Sequence, residues 1–301
     1  MPRQSARLST PEPFELRLCL FGHGWVALAP HRWDEERGIF STALAHGDAA
    51  VDVALQAGGG ELQMTIDSRR KLGAAAIDTI AGQLAHMLRL DDDLGAFHRL
   101  CRSDAGLRWA ARRGAGRLLR SASAFEDLLK LLFTTNTTWA GTEAMTQKLV
   151  AACGAVAPSG RRAFPTAAQC PRDVAFWRDQ VKVGYRAAAA VELVEAFLSG
   201  TIDDAAFLGA ASGEELWERV TALRGFGPYA AGQALRLFGH YEALALDSWC
   251  RARFATLDGT AKPPSDREIA ARYAGFAPFQ GLAMWLDLTA EWHGEKSVRR
   301  R

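Results

Sequence analysis

A chain of 301 residues, 49% apolar and 23% charged, can bury one large core or two fused ones, and global disorder is excluded. The formal net charge of +2 and a pI near 8.3 neither demand nor exclude a nucleic-acid partner. Five cysteines (Cys19, Cys101, Cys153, Cys170, Cys250) form no C-x-x-C pair and are odd in number, which argues against a disulfide framework or a cysteine-rich metal site.

Met1 to Pro13 is polar, without a signal-peptide core. No apolar run approaches the roughly 20 residues of a membrane helix, so an intracellular, cytoplasmic protein is expected, nucleoid-associated if bacterial. Phe14, Leu16, Leu18 and Leu20 alternate with Glu15, Arg17 and Cys19, which predicts a strand. Residues 22 to 40 should hold a further strand and loop. Val51, Val53 and Leu55 alternate with polar or small neighbours, as do Leu62, Met64 and Ile66; the Gly58-Gly59-Gly60 turn between them predicts a hairpin. Residues 1–70 thus read as a small antiparallel sheet, with closing helices to about residue 115.

From about Arg70 the pattern is helical. Between Arg99 and Arg120 stand Arg99, Arg102, Arg108, Arg112, Arg113, Arg117 and Arg120, opposed only by Asp104. A solvated helix face and a phosphate-contacting surface fit this run equally well. Ser123–Glu126, Thr166–Gln169, Ser212–Glu215 and Ser265–Glu268 each match the capping-box spacing ahead of an amphipathic stretch. They predict an all-helical domain over 116–292, and Lys296, Arg299, Arg300 and Arg301 mark a solvated basic tail over 293–301. The fold class is α+β.

The most informative stretch is Leu223-Arg-Gly-Phe-Gly-Pro-Tyr-Ala-Ala231. Gly225 and Gly227 allow a tight turn with positive backbone dihedrals, and Pro228 suits the first position of a new helix. The N–H groups of that helix start can hold an anion such as a DNA phosphate; an ordinary helix-to-helix connection fits the same residues. Asp247 follows 20 residues after Gly227, beyond the apolar approach Ala243–Leu246. It is placed to cap a helix, a role compatible with catalysis.

Together, the L-x-G-x-G-x-x-A-A hairpin and the downstream aspartate resemble the helix-hairpin-helix DNA glycosylase superfamily. Gly116-Arg-Leu-Leu-Arg120, Phe125-Glu-Asp-Leu-Leu129, Thr135-Asn136, Phe164-Pro165 and Gly184-Tyr-Arg-Ala187 occur in the order seen in 8-oxoguanine glycosylases. Phe276 to Trp285 is similar to the last helix of that group and of 3-methyladenine glycosylase II. The resemblance covers nearly the whole chain from Phe14.

It implies base excision repair on double-stranded DNA carrying damaged bases, by a monomer. Leu223, Gly225, Gly227, Tyr229 and Ala230 would grip the DNA backbone, and Asp247 would catalyse base removal. Bifunctional members carry a lysine where this chain has Tyr229, so hydrolysis without lyase chemistry is implied. Tyr229, Trp139, Trp249 and Trp285 are candidates for an aromatic pocket suited to an alkylated purine; core packing is the competing role for the tryptophans. Tyr185 corresponds to the wedge, and Asn136 and Arg186 to readers of the orphaned partner base. Gly141 and Met284 replace an arginine and a glutamine used on 8-oxoguanine, which argues against that lesion. No cysteine follows Cys250, so the iron–sulfur loop of some relatives is not expected. No side-chain metal site is expected either, though a monovalent cation on the hairpin carbonyls is. Excision of an oxidised or deaminated base, or damage binding without catalysis, are the rival functions. Asp287, on an otherwise apolar stretch, could pair with an arginine or face the pocket.

Overall fold

The computed structural model describes residues 1–296, so Arg299, Arg300 and Arg301 of the basic tail lie outside the described residues. Strand β1 (Arg3–Ser9) turns Arg3, Ser5 and Arg7 outward and buries Leu8. Helix α1 (Leu16–Phe21) and a 3-10 turn at Gly24–Ala27 follow. Then come β2 (Arg32–Asp34), β3 (Ile39–His46), β4 (Ala49–Gly58) and β5 (Glu61–Asp67). The strands form one antiparallel sheet in the order β1-β5-β4-β3-β2. Gly58 pairs with Glu61, leaving Gly59 and Gly60, at φ 66° and 81°, as a two-residue turn that matches the strand twist. Val51, Val53, Leu55, Leu62, Met64 and Ile66 are buried on one face, as their alternation requires.

The segment 14–20 is therefore not a strand. Leu16, Leu18, Cys19 and Leu20 are all buried while Glu15 and Arg17 stay half-exposed, and the adjacent buried pairs Leu18–Cys19 and Cys19–Leu20 fit a short helix better than a two-faced strand. The strand that does open the chain, β1, has only Ala6 and Leu8 as apolar inward residues, too weak a pattern to read.

The helices are α2 (Ala74–Leu88), α3 (Gly95–Ser103), α4 (Arg108–Arg113), α5 (Ala124–Thr134), α6 (Trp139–Cys153), α7 (Ala187–Ser199) and α8 (Asp204–Leu208). After them come α9 (Gly213–Thr221), α10 (Pro228–Phe238), α11 (Ser248–Asp258), α12 (Asp266–Tyr273) and α13 (Gln280–Thr289). Among the described residues, no helix is long and apolar enough to cross a membrane.

The hydroxyls of Ser123, Ser212 and Ser265 each accept the N–H of the residue three ahead, at 3.2, 3.1 and 3.3 Å, a cap that contributes about 1 kcal/mol. The reciprocal bond forms at Ser265–Glu268, but Glu126 turns to Lys130 and Glu215 to the N–H of Ala211. At Thr166 the reciprocal half is present, yet only a single 3-10 turn, Ala167–Gln169, follows.

Every residue of α5 from Ala124 to Phe133 is buried. One apolar core joins the sheet to α5, α7, α9 and α10. A second joins α3 and α4 to α11, α12 and α13, with Leu18 of α1. The arginine run divides between two roles. Arg113 pairs with Glu15 (2.7 Å) and Glu295 (3.1 Å), Arg117 donates to the carbonyls of Arg89 and Asp92, and Arg120 donates to that of His86. These three tie the fold together, while Arg99, Arg102, Arg108 and Arg112 are exposed.

Candidate active site

Helix α9 ends in a turn closed by the Phe226 N–H on the Leu223 carbonyl at 3.2 Å. Gly225 lies at φ +85°, where L side chains are strained, and a Cβ there would stand 2.9 Å from Leu132 Cδ1. Gly227 does not share that conformation: it is extended at φ −93°, ψ −171°, so one glycine of the pair, not both, needs the left-handed region. A Cβ on Gly227 would meet nothing within 4 Å. The fold itself has no use for a glycine there, whereas a ligand backbone drawing close would. Pro228 opens α10 without a side-chain cap, and the first N–H turned back into the helix is Ala231, on the Gly227 carbonyl at 3.0 Å. The preceding N–H groups, with the positive end of the helix dipole, face outward.

Asp247 caps α11, its Oδ1 accepting the Cys250 N–H at 2.7 Å. It is half-buried and lines two adjoining hollows. The first is a cavity of about 460 Å³ walled by Trp25, Trp139, Trp249, Trp285, Trp292 and Tyr229. The second is a groove of about 880 Å³ that reaches Gly225, Gly227, Asn136 and Tyr185. Thr134, Tyr229, Asp247 and Trp249 border both, so the carboxylate stands where the groove opens into the cavity.

The cavity walls are fixed in place. Trp249, Trp285 and Trp292 cluster with centroids 5.6 to 5.7 Å apart, and Trp25 stacks with Trp139 at 6.4 Å. The Trp25 indole N–H donates to Asp127 Oδ1 at 2.6 Å and that of Trp285 to the Gly22 carbonyl at 2.7 Å. Behind Trp285 lies the buried Arg236 guanidinium, 4.2 Å from the ring centroid, which donates to Gln233 Oε1 at 3.0 Å. Burial lowers the Arg236 pKa against the opposing pull of Cys250 and Asp247. Burial raises the Tyr229 phenol, partly countered by a hydrogen bond from Thr134. His23 stands edge-on to Trp25 at 4.4 Å.

The structure therefore brings Asp247, Tyr229, Trp139, Trp249 and Trp285 into one site, with the hairpin on the groove beside it. Leu223 is half-buried against the core and Ala230 is fully buried, so they shape the hairpin from behind. Trp25, Trp292, His23 and Gln233 were not foreseen. Two of them carried a signal: Gln233 lies four residues after Tyr229, and Trp292 seven after Trp285, spacings that share a helix face. Trp25 and His23 come from a 3-10 turn and its flank, where no periodicity points inward.

Asn136, at φ 43°, is exposed and its Nδ2 donates to the Tyr185 hydroxyl at 3.2 Å. Tyr185 is 66% exposed beside the groove. Arg186 is corrected: it is 6% exposed, and its guanidinium bonds Thr135 Oγ1 (3.0 Å), the Val183 carbonyl (3.1 Å) and the Thr135 carbonyl. With those donors turned inward and its plane on the Tyr185 ring, it braces the Thr135–Asn136 turn instead of reaching a base. Asp287 accepts the Tyr273 hydroxyl at 2.7 Å inside the second core and lines neither hollow, and Met284 is fully buried.

No protein-family model matches the sequence, and no curated protein matches it. Several solved structures do. The 3-methyladenine DNA glycosylase from Archaeoglobus fulgidus superposes with a TM-score of 0.73 at 20% identity, over 96% of this chain and 99% of that one. The 8-oxoguanine glycosylase/lyase of Clostridium acetobutylicum, in its apo form, gives 0.71 at 18% over 94% and 95%. MBOgg1 in complex with a low-affinity DNA ligand gives 0.71 at 19% over 97% and 96%. Across nearly its whole length, this chain has the α+β fold of those glycosylase structures.

Proposed function

We propose that this chain is a monofunctional DNA glycosylase that hydrolyses the N-glycosidic bond of an alkylated purine in duplex DNA, the opening step of base excision repair. The observation that carries this reading is the position of Asp247, on the border between a groove edged by the hairpin and a cavity walled by five tryptophans. The groove can take the duplex, with phosphates on the free N–H groups at the start of α10. Tyr185 is exposed enough to fill the gap left by an extruded base, and Asn136 beside it can meet the partner base. The cavity can take the extruded base, and indole faces favour a cationic alkylated ring over a neutral one.

In the reaction the bond between C1′ and the base nitrogen breaks, its electron pair leaving with the base. The Asp247 carboxylate stabilises the positive charge that develops on the sugar. A water oxygen bonds C1′ while Asp247 accepts its proton, leaving an abasic site. No lysine is among the described residues that line the cavity and groove, which supports hydrolysis over a Schiff-base route. A monovalent cation at the hairpin would rest on backbone carbonyls, since no cluster of His, Cys, Asp or Glu able to hold a metal occurs among the described residues. No step passes through it.

The test is a panel of duplexes, each with one lesion: a stable 3-methyladenine analogue, 7-methylguanine, hypoxanthine, 8-oxoguanine or uracil. Strand breaks that appear only after alkali, on the alkylated purines, are the expected result. Breaks without alkali, or a covalent adduct trapped by borohydride, would refute the monofunctional mechanism. Release of oxidised or deaminated bases alone would reassign the substrate, and duplex binding without release would leave a damage-binding protein.

A further inference from the structure

The proposed reaction uses Asp247 and the aromatic walls but leaves two polar side chains of the cavity without a role. His23 is 7% exposed and Gln233 6%, and both line the cavity. We propose that His23, together with the side-chain amide of Gln233, reads the hydrogen-bonding edge of the base in the cavity and so determines which lesions are accepted. This deepens the glycosylase reading and rests on it.

The orientation of Gln233 is set by chemistry. Its Oε1 accepts from Arg236 Nη1 at 3.0 Å, and a guanidinium can only donate, so the amide cannot be reversed. Its NH₂ group makes no hydrogen bond among the described residues and is left for whatever enters. Gln233 therefore presents donors only, and the base edge facing it must carry an acceptor, such as a ring nitrogen or a carbonyl oxygen.

His23 is held between two indoles, edge-on to Trp25 at 4.4 Å and tilted against Trp285 at 6.0 Å. Both indoles are themselves fastened, to Asp127 and to the carbonyl of Gly22, the residue before His23. Nδ1 is buried without a partner, so Nε2 is the nitrogen open to the cavity. Nε2 makes no hydrogen bond within the protein among the described residues and is left to meet a bound base edge. Burial, with Arg236 and Lys130 nearby, pushes the imidazole pKa down to about 3. The ring is thus neutral near pH 7: it can donate or accept, and it does not repel a cationic base.

The test compares the full chain with His23→Phe, which keeps the ring and deletes both nitrogens, His23→Gln, which restores a hydrogen-bonding group, and Gln233→Glu, which keeps the acceptor for Arg236 but removes the donors. Excision is measured on the lesion panel, and affinity on a duplex with a tetrahydrofuran abasic analogue, which has no base to read. His23→Phe is expected to lower kcat/KM on the best lesion by about 10- to 100-fold, the loss of one well-placed hydrogen bond, with a smaller effect on the others. His23→Gln should recover part of the preference, and Gln233→Glu should disfavour lesions with an acceptor edge. Abasic-duplex affinity should not move. An equal loss on every lesion, or none, would overturn the assignment. If the unaltered chain releases no base, quenching of its tryptophan fluorescence by free 3-methyladenine and 7-methylguanine decides the matter. Quenching weakened by His23→Phe would keep the reader and discard the glycosylase. Equal quenching, or none, would discard the reader.

Discussion

Asp247 joins a cap and a proposed base in one carboxylate, and two substitutions separate the jobs. Asparagine caps a helix about as well as aspartate, so Asp247→Asn should change stability by no more than about 0.5 kcal/mol. It cannot take a proton from water, so base release should fall by at least about 100-fold. Asp247→Ala should lose the same activity and also about 1 kcal/mol of stability. Urea melts beside an excision assay check the pair, and full activity in Asp247→Asn would refute the catalytic role. Trp25 poses a similar question on the pocket wall. Trp25→Phe keeps an aromatic face but deletes the N–H bonded to the buried Asp127. It should destabilise the protein by about 1–3 kcal/mol, the cost of leaving a buried acceptor short of a partner, and a urea midpoint equal to the unaltered protein would refute that account.

At the scale of elements, the hairpin makes a sharp contrast between its two glycines. Gly225→Ala meets both a strained dihedral and the Leu132 methyl, so it should lower stability by about 1–2 kcal/mol. Gly227→Ala fits its extended backbone and open surroundings and should leave the melting temperature unchanged. If a DNA backbone draws close there, the same change should weaken duplex binding about tenfold, a loss of roughly 1.4 kcal/mol. Unchanged binding would place the backbone elsewhere. The contrast also marks how far the sequence could be read. The β4–β5 hairpin was legible because a half-buried ribbon must alternate and a two-residue turn between such strands wants glycine. The caps at Ser123, Ser212 and Ser265 were legible because their chemistry is local. Helix α1 was not, since in six residues the alternation of Leu16, Leu18 and Leu20 mimics a strand. The G-x-G spacing announced a turn but not that its glycines serve different ends. Asp247 and Tyr229 were found through the resemblance, and the adjoining hollows that give them meaning depend on contacts that no local pattern encodes.

The whole molecule carries several histidines whose burial opposes protonation. The His23 pKa is pushed down to about 3, and those of His86 and His293 to about 4, desolvation being the main cause in each. Each is neutral in the folded chain where its unfolded counterpart would take a proton, below about pH 6.5. The unfolded state then binds more protons, so stability is full above that pH and declines as pH falls toward 4. His23 and His293 are nearly enclosed, and each should remove roughly 1.4 kcal/mol per pH unit over that range. A melting temperature constant from pH 7 to 5 would contradict this burial. The same long-range construction has a consequence in time. The Trp285 indole is bonded to Gly22, 263 residues earlier, while Trp292 rides on a turn tied back to α4 through the bond from Arg113 to the His293 carbonyl. A chain growing from a ribosome would finish its hairpin some fifty residues before the last wall of the pocket was made. Until then the second core lacks α13 and the cavity lacks two of its indole walls, so on the proposed function shortened chains that end before α13 should release no base.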